Sequence, residues 1–131
     1  MRVLHLRYSS NVYGAEKMIM LLCREQMRAG LEIRLAAFEK LNSNSLSRSA
    51  QSKGISTECI TSYSKLDTGA IRQLYSLINS FKPDIIHSHG YKTDIISYIL
   101  KRFFIRLDVR LITTVHGWTS SSNSVAIYEK L

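Results

Sequence analysis

The sequence predicts an α/β fold built on a doubly wound parallel sheet, and three observations support this prediction. Short apolar segments alternate with longer segments whose apolar residues recur at helical spacing, in the order βαβαβαβαβ. The intervening segments are long enough to cross over between parallel strands. The chain has 131 residues, 45% of them hydrophobic, which suffices for one compact core and not for two. We therefore expect one domain over residues 1–131, with residues 119–131 as a peripheral tail.

The first half of the chain contains the first two strands and the helix between them. Residues 2–8 are apolar and short, which predicts a strand, and turn residues then lead into a helix over residues 15–29. Gly30 follows where a left-handed cap is needed. Apolar and polar residues alternate over 32–39, which predicts the second strand. The apolar positions at helical spacing in the first helix are Met18, Leu21, Leu22 and Met27.

The second half continues the same alternation. Residues 43–52 predict a polar helix that ends at Gly54, and residues 57–60 predict a short strand. Residues 70–81 predict a helix with one apolar stripe, and Lys82-Pro83-Asp84 breaks it. The remaining elements are a fourth strand with its exit loop over 85–90, a helix over 93–104 and a fifth strand over 109–115. We expect the strand order 3-2-1-4-5.

The net charge of the chain indicates which classes of binding partner it favours. Lys and Arg number 18 against 10 Asp and Glu, so the formal net charge of +8 at pH 7 favours anionic partners. Helix-turn-helix, zinc-finger and RNP-type aromatic patterns are absent from the sequence, so we expect no nucleic-acid partner. Phosphate-bearing substrates, an anionic membrane surface and a solvated basic surface without a partner all remain open. The segment that suits a membrane surface combines Lys101, Arg102 and Arg106 with Phe103, Phe104 and Ile105.

The sequence predicts neither a membrane span nor a disulfide framework. No segment reaches the roughly 18 consecutive apolar residues that a span needs. We expect a cytoplasmic protein, either free or peripheral at the inner face of the membrane. Cys23 and Cys59 lack metal-ligand spacing, and both are predicted to be buried thiols.

The predicted topology places the candidate site at one edge of the sheet. Ligands of open parallel sheets bind beyond the carboxyl ends of the strands, where neighbouring strands send their helices to opposite faces. In the expected order this point lies between the first and fourth strands, next to residues 8–16, 87–94 and 116–120. These segments contain three of the four histidines and the only tryptophan, Trp118.

Gly14-Ala15-Glu16 opens the first helix, and backbone N–H groups at a helix start attract anions. A diphosphate fits such a position. The other interpretation is a helix start in which Glu16 offsets the positive end of the helix dipole.

The histidines allow a metal-site interpretation. His87 and His89 are two residues apart, so on a strand they share a face, and with His116 they could hold zinc as a metal-dependent hydrolase does. The other interpretation is hydrogen-bonded imidazoles at the edge of a crevice. We predict His5, on the first strand, to be a hydrogen-bonded core histidine. A non-catalytic binding module is a third possibility.

His116-Gly117-Trp118 is the sharpest local feature of the sequence. A neutral imidazole at a strand terminus can place a donor and an acceptor beside a polar ligand. Trp118 suits either the apolar face of a sugar ring or packing against another part of the protein.

Four segments together resemble the N-terminal domain of retaining GT-B glycosyltransferases of the family 4 type. The resemblance implies the acceptor-binding, Rossmann-like half of a two-domain enzyme, which includes enzymes of bacterial surface-polysaccharide, lipopolysaccharide and glycolipid synthesis. It implies a nucleotide sugar as co-substrate, a sugar or lipid-linked acceptor, no metal or other cofactor, and a separate C-terminal donor domain. The segments are Met1–Leu6, Gly14–Glu16, Lys82–His89 and Thr113–Gly117.

The resemblance also assigns expected roles to residues. Gly14, Ala15 and Glu16 correspond to the loop near the donor phosphates, and His116 corresponds to the histidine near the transferred sugar, where we expect it to be catalytic. Tyr13 occupies the first glycine position of the family's Gly-Gly-Ala-Glu loop, which narrows the approach of a phosphate. Without a donor domain we expect these residues alone to be inactive. The residues expected to bind the acceptor are Tyr13, His89, Tyr91 and Lys92.

Overall fold

The computed structural model contains one parallel sheet with the strand order β3-β2-β1-β4-β5, which confirms the predicted order. It describes residues 1–9, 11–40, 45–62, 67–103 and 108–115. The elements are β1 (Arg2–Tyr8), α1 (Gly14–Arg28), β2 (Glu32–Glu39), α2 (Ser45–Ser52), β3 (Thr57–Thr61), α3 (Thr68–Phe81), β4 (Ile85–His89), α4 (Tyr91–Phe103) and β5 (Arg110–Thr114).

Helices cover both faces of the sheet. Alternate residues of each strand face opposite sides, so the strand residues in each core cluster show which helices lie on which face. On β1, Leu4 and Leu6 belong to the core cluster that includes side chains of α3 and α4. Val3 belongs to the second core cluster, which includes side chains of α1 and α2. The sheet is therefore doubly wound, as predicted. His5 and Arg7 share the face of Val3, which directs them toward the α1 side.

The buried face of α1 differs from the apolar positions noted in the sequence. Met18 and Leu21 are 44% and 59% exposed, and Met27 is exposed as well. The buried residues of α1 are Glu16, Ile19, Met20 and Cys23. The helical period was right, but the face that packs on the sheet contains Ile19, Met20 and Cys23 of the second core cluster, together with Glu16, which pairs with Arg7.

The prediction that both cysteines are buried was wrong for Cys59. Cys23 is buried in α1, whereas Cys59 is exposed. Cys59 lies on β3, which is an edge strand and pairs only with β2 in the described sheet. The predicted strand was correct, but an edge position leaves a strand less covered than a central one.

The ends of the elements follow local chemistry. Gly30 has φ +92, which confirms the predicted left-handed cap of α1. Helix α3 begins at Thr68, two residues before the prediction, because the Asp67 side chain accepts hydrogen bonds from the backbone N–H groups of Gly69 and Ala70. In the described ranges, no helix combines the length and apolar composition that crossing a bilayer requires.

Candidate functional site

The candidate site lies where β1 and β4 end side by side. Arg7 and His89 are register partners on these two parallel strands. Helix α1 follows β1 on one face of the sheet, and α4 follows β4 on the other. The chain therefore diverges at this edge, which is where open parallel sheets bind their ligands. The region between the start of α1 and the start of α4 is called the crevice below.

Three histidines cluster on the α1 side of this crevice. His5 and His87 are register partners, and the ring centroids of His87 and His89 lie 4.1 Å apart. The centroid of the His5 ring lies 5.0 Å from that of His87 and 5.2 Å from that of His89. His5 and His89 are fully buried, at 0% and 1% exposure. The sequence analysis placed His87 and His89 together correctly, and His5, buried as predicted, joins them.

A series of short hydrogen bonds links the three histidines to α1. His5 Nε2 lies 2.7 Å from the Gln26 side-chain oxygen Oε1. His5 Nδ1 lies 2.9 Å from His89 Nε2. At the other side of the cluster, His87 Nε2 lies 2.6 Å from the Thr114 hydroxyl on β5. The series of contacts therefore runs from α1 through β1 to β4, and a separate contact joins β4 to β5.

His5 is uncharged near neutral pH. Its pKa is lowered from 6.5 to about 4, mainly by burial and to a smaller extent by the nearby charge of His87, despite the hydrogen bond to Gln26, which acts to raise it. A neutral imidazole carries one ring proton, so one nitrogen of His5 donates and the other accepts.

The cluster has the composition of a metal site but not its ring orientation. One nitrogen from each of the three rings lies within 4.8 Å of the others. A coordinating imidazole directs its lone pair along the ring plane toward an ion about 2.0–2.1 Å away. His89 lies at 20° to His87 and 21° to His5, and these stacked planes do not converge on one ion. The predicted third ligand, His116, lies outside the described residues.

Arg7 ties the start of α1 to the end of β4. Its Nε donates to Glu16 at 2.8 Å, and its Nη1 donates to the backbone oxygen of His89 at 3.1 Å. The Glu16 side chain also accepts from the Tyr13 N–H at 3.1 Å. Glu16 is 2% exposed, so its buried charge is matched by Arg7. The sequence analysis missed Arg7, although a cation at an inward position of a central strand signals a buried partner.

Two glycines border the crevice in different ways. A Cβ on Gly14 would meet no described atom within 4 Å, so open space lies beside the start of α1. Gly90, between β4 and α4, has φ +114, and a Cβ there would lie 3.2 Å from Arg7 Nη1. Only glycine fits this turn without strain. The sequence analysis did not single out Gly90.

The predicted acceptor-binding residues divide by exposure. Tyr13 and Tyr91 are 64% and 46% exposed at the starts of α1 and α4. Lys92 places its Nζ 4.6 Å from the centroid of the Tyr8 ring. His89, in contrast, is buried, at 1% exposure. His116, Gly117 and Trp118 lie outside the described residues.

A cavity of about 310 Å³ opens between α1 and α2. It combines apolar and cationic side chains, and no acidic residue lines it in the part of the chain that the structure describes. This composition suits a ligand that is apolar along part of its length and anionic elsewhere. The lining residues are Val12, Lys17, Met20, Leu21, Arg24, Ser49 and Lys53.

Comparison with protein families gives a match to the Glycosyltransferase Family 4 model over residues 12–130. The chain belongs to glycosyltransferase family 4. Comparison with curated proteins gives no match. The matched residues include α1, β4 and α4, which border the crevice, but not β1, and they extend beyond position 115.

Solved structures share the fold of this family 4 chain at low sequence identity. A glycosyltransferase from Rickettsia africae ESF-5 matches with TM-score 0.72 and 18% identity over 97% of this chain and 32% of that chain. MurG from Acinetobacter baumannii matches with TM-score 0.64 and 8% identity over 98% and 38%. A UDP-GlcNAc 2-epimerase from Neisseria meningitidis, bound to UDP-GlcNAc, matches with TM-score 0.61 and 16% identity over 95% and 35%.

The family 4 chain spans about a third of the length of these similar structures. Its Rossmann-like sheet corresponds to one half of the GT-B architecture. The presence of an epimerase in the comparison shows that this fold hosts more than one reaction. The fold by itself therefore does not identify the reaction.

Proposed function

We propose that this chain is the acceptor-binding half of a retaining glycosyltransferase that uses a nucleotide sugar, with bacterial surface polysaccharide or glycolipid synthesis as its setting. The observation that carries the proposal is the family 4 match over residues 12–130, together with the crevice at the switch point of the sheet. The nucleotide sugar is the co-substrate, and the reaction uses no metal. A second domain supplies the other side of the donor site.

The assay compares this chain with a two-domain protein that contains it. We expect transfer from a nucleotide sugar by the two-domain protein and none by residues 1–131 alone, because a GT-B reaction takes place between two domains. The product's anomeric configuration, read by NMR, tests retention. Turnover by the 131-residue chain would disprove the requirement for a second domain.

The donor diphosphate is proposed to approach the backbone at the start of α1. The Glu16 carboxylate is occupied by Arg7 and Tyr13, so it anchors the loop and does not bind phosphate. The Gly14 and Ala15 N–H groups are the proposed donors, aided by the helix dipole. Gly14→Val adds a side chain in open space, so it should raise the donor KM while the melting temperature stays close to that of the parent protein. An unchanged donor KM would show that the donor phosphate does not bind next to Gly14.

The acceptor is proposed to lie along Tyr13, Tyr91 and Lys92, with the buried His89 behind them. A lipid-linked acceptor would extend into the α1–α2 cavity, where cations surround an apolar floor. Each Lys or Arg near an anionic surface contributes about 1 kcal/mol. Replacing Lys17, Arg24 and Lys53 by Gln should therefore weaken binding to anionic vesicles about 100-fold.

Two control variants make the vesicle assay specific. Arg72, Lys82 and Arg110 are exposed outside the cavity, and their triple Gln variant loses the same charge. Lys101 and Arg102, exposed at the end of α4, represent the segment that the sequence suggested. Equal weakening by the first control would mean that net charge alone drives binding. A larger loss with Lys101 and Arg102 replaced would place the membrane contact at α4.

His116 is the proposed catalytic residue, next to the transferred sugar. If its hydrogen bond strengthens as the phosphate departs, His116→Ala in the two-domain enzyme should lower kcat by a factor of about 10² to 10³, with little effect on donor binding. Steady-state kinetics and thermal unfolding of the same variant decide the role. Lower stability with an unchanged kcat would make His116 a packing residue.

A further inference from the structure

Arg7 is a largely covered cation at the end of the central strand β1. Its side chain is 20% exposed, and that of its partner Glu16 is 3% exposed. The ion pair of Arg2 with Glu32, at the opposite end of the same strand, is 47% and 60% exposed. Charges in a covered site attract each other more strongly than charges at the surface, and a planar guanidinium holds its partners in fixed directions. Arg7 can therefore impose a geometry on its neighbours that an exposed pair cannot.

The Nε side of the guanidinium fixes the start of α1. Arg7 Nε donates to Glu16 Oε2 at 2.8 Å, and Glu16 Oε1 accepts from the backbone N–H of Tyr13 at 3.1 Å. This links the residue before the helix to its first turn and links both to β1. Gly14 and Ala15 lie between these two anchored positions, and N–H groups at a helix start have no partner within the helix. The direction of the Gly14 and Ala15 N–H groups therefore depends on Arg7.

The Nη1 side of the guanidinium fixes the turn between β4 and α4. Arg7 Nη1 donates to the backbone oxygen of His89 at 3.1 Å. The next residue, Gly90, has φ +114, and a Cβ at this position would lie 3.2 Å from Nη1. A side chain there would crowd the guanidinium as well as strain the turn. Helix α4 follows directly, with Tyr91 and Lys92 as its first two residues.

We propose that Arg7 is a positioning residue for both substrates. One side chain holds the start of α1, where the donor phosphates are proposed to bind, and the turn that leads to the proposed acceptor residues of α4. These two segments belong to helices on opposite faces of the sheet, and Arg7 reaches them across 9 and 82 positions of the chain. The substrate part of this inference rests on the proposed function. The two contacts of Arg7 rest on the hydrogen bonds alone.

Backbone amide NMR of the 131-residue chain tests the two contacts separately. The Tyr13 N–H signal reports the first, because a hydrogen bond to a carboxylate moves an amide proton downfield. The Gly90 N–H signal reports the second, because this N–H and the His89 oxygen belong to one peptide unit. In Arg7→Met we expect the Tyr13 proton to move upfield and the Gly90 signal to move as well. Both signals come from the folded chain, so a lower stability alone would not move them.

Arg2→Met is the matched control for this experiment. It removes the same charge and breaks an Arg–Glu pair on the same strand, but at the edge of the sheet away from the crevice. The Tyr13 and Gly90 signals should therefore stay at their parent positions. Movement of the Tyr13 signal alone in Arg7→Met would overturn the inference, because Arg7 would then hold only the start of α1.

A second variant covers the case in which Arg7→Met does not fold. Arg7→Lys keeps a positive charge for Glu16 but has one nitrogen in place of the guanidinium. That nitrogen cannot occupy the positions of both Nε and Nη1, so at least one of the Tyr13 and Gly90 signals should move. Parent positions of both signals in Arg7→Lys, or in a folded Arg7→Met, would overturn the inference.

Steady-state kinetics of the two-domain enzyme test the substrate part. Arg7→Met should raise the donor KM and the acceptor KM about tenfold each, the effect of one lost hydrogen bond to a charged group. Gly14→Val should raise the donor KM alone, and Arg2→Met should change neither. A variant that is only less stable would contain less active enzyme, which lowers the apparent kcat and leaves both KM values unchanged.

The outcomes separate this inference from the proposed function. A change in only one KM, or unchanged KM values with moved NMR signals, would overturn the role of Arg7 for both substrates. Absence of sugar transfer by the parent two-domain enzyme would instead contradict the proposed function and leave the NMR result intact.

Discussion

The two strands beside β1 occupy equivalent positions but contain different chemistry. Both β2 and β4 pair with neighbours on each side. In strand β2 the buried residues Ile33 and Leu35–Phe38 are all apolar, and the strand ends on the buried Glu39. Strand β4 buries Ser88 and His89 at the corresponding depth. The position of a strand in the sheet thus does not explain the polar residues of β4.

The buried polar residues of β4 are tolerated in the core because their hydrogen-bonding groups have partners. Ser88 Oγ lies 2.6 Å from the Thr93 hydroxyl on α4. His89 is bonded to His5, and its backbone oxygen accepts from Arg7. Buried polar groups are costly unless they are paired, and apolar side chains would fill the same space without this requirement. The contrast indicates that β2 supports the fold, whereas β4 supports the crevice.

The largest expected effect belongs to the apolar strand. Phe38 is fully buried, so Phe38→Ala should lower the free energy of unfolding by about 3–5 kcal/mol, through lost burial and the cavity left behind. Urea unfolding of the 131-residue chain measures this change. Ser88→Ala on β4 provides the comparison within the same assay. A larger loss for Ser88→Ala would reverse the assigned roles of the two strands.

Arg7→Met should cost about 3 kcal/mol, because it leaves the buried Glu16 carboxylate without its cation. The double variant with Glu16→Gln removes the unpaired charge and should recover part of the loss. Urea unfolding of the two single variants and the double variant gives the coupling free energy between the side chains. Additive losses would show that the ion pair does not hold the crevice.

The neutral state of His5 predicts a loss of stability in acid. Its pKa is about 4 in the folded chain against 6.5 for an unperturbed histidine, so between these values the unfolded chain binds the proton and the folded chain does not. The free energy of unfolding should therefore decrease as the pH falls from 6.5 to 4, by about 3 kcal/mol from this group. Comparing the pH dependence of the parent chain with that of His5→Phe isolates the contribution. Parallel curves would show that His5 titrates normally.

The smallest effect is expected at the polar end of β4. Ser88→Ala removes the hydrogen bond to Thr93 and should lower the free energy of unfolding by about 1 kcal/mol. Thermal unfolding with Ser80→Ala as a control tests it, since the hydrogen bond that Ser80 Oγ makes among the described residues is local, to the Leu77 oxygen within α3. Equal changes would mean that the buried pair adds nothing beyond a local hydroxyl contact.

Local patterns in the sequence were sufficient to predict the architecture. The alternating short and long segments predicted the nine described elements, because periodicity and turn residues act within a few positions of the chain. The strand order came instead from the general rule for doubly wound sheets. Gly30 and Lys82-Pro83 end their helices for equally local reasons. The same reasoning placed His87 and His89 on one face of β4, two residues apart.

Only the tertiary structure decided which distant residues meet. His5 contacts His89 across 84 positions of the chain, and Arg7 reaches the His89 backbone across 82. Parallel pairing of β1 with β4 creates both contacts, and no local period contains that register. The rotation of α1, with Glu16 inward and Leu21 outward, likewise depends on what the helix packs against, namely the second core cluster and Arg7. Sequence patterns fix which elements form, whereas long-range pairing and buried charge fix which side chains share a site.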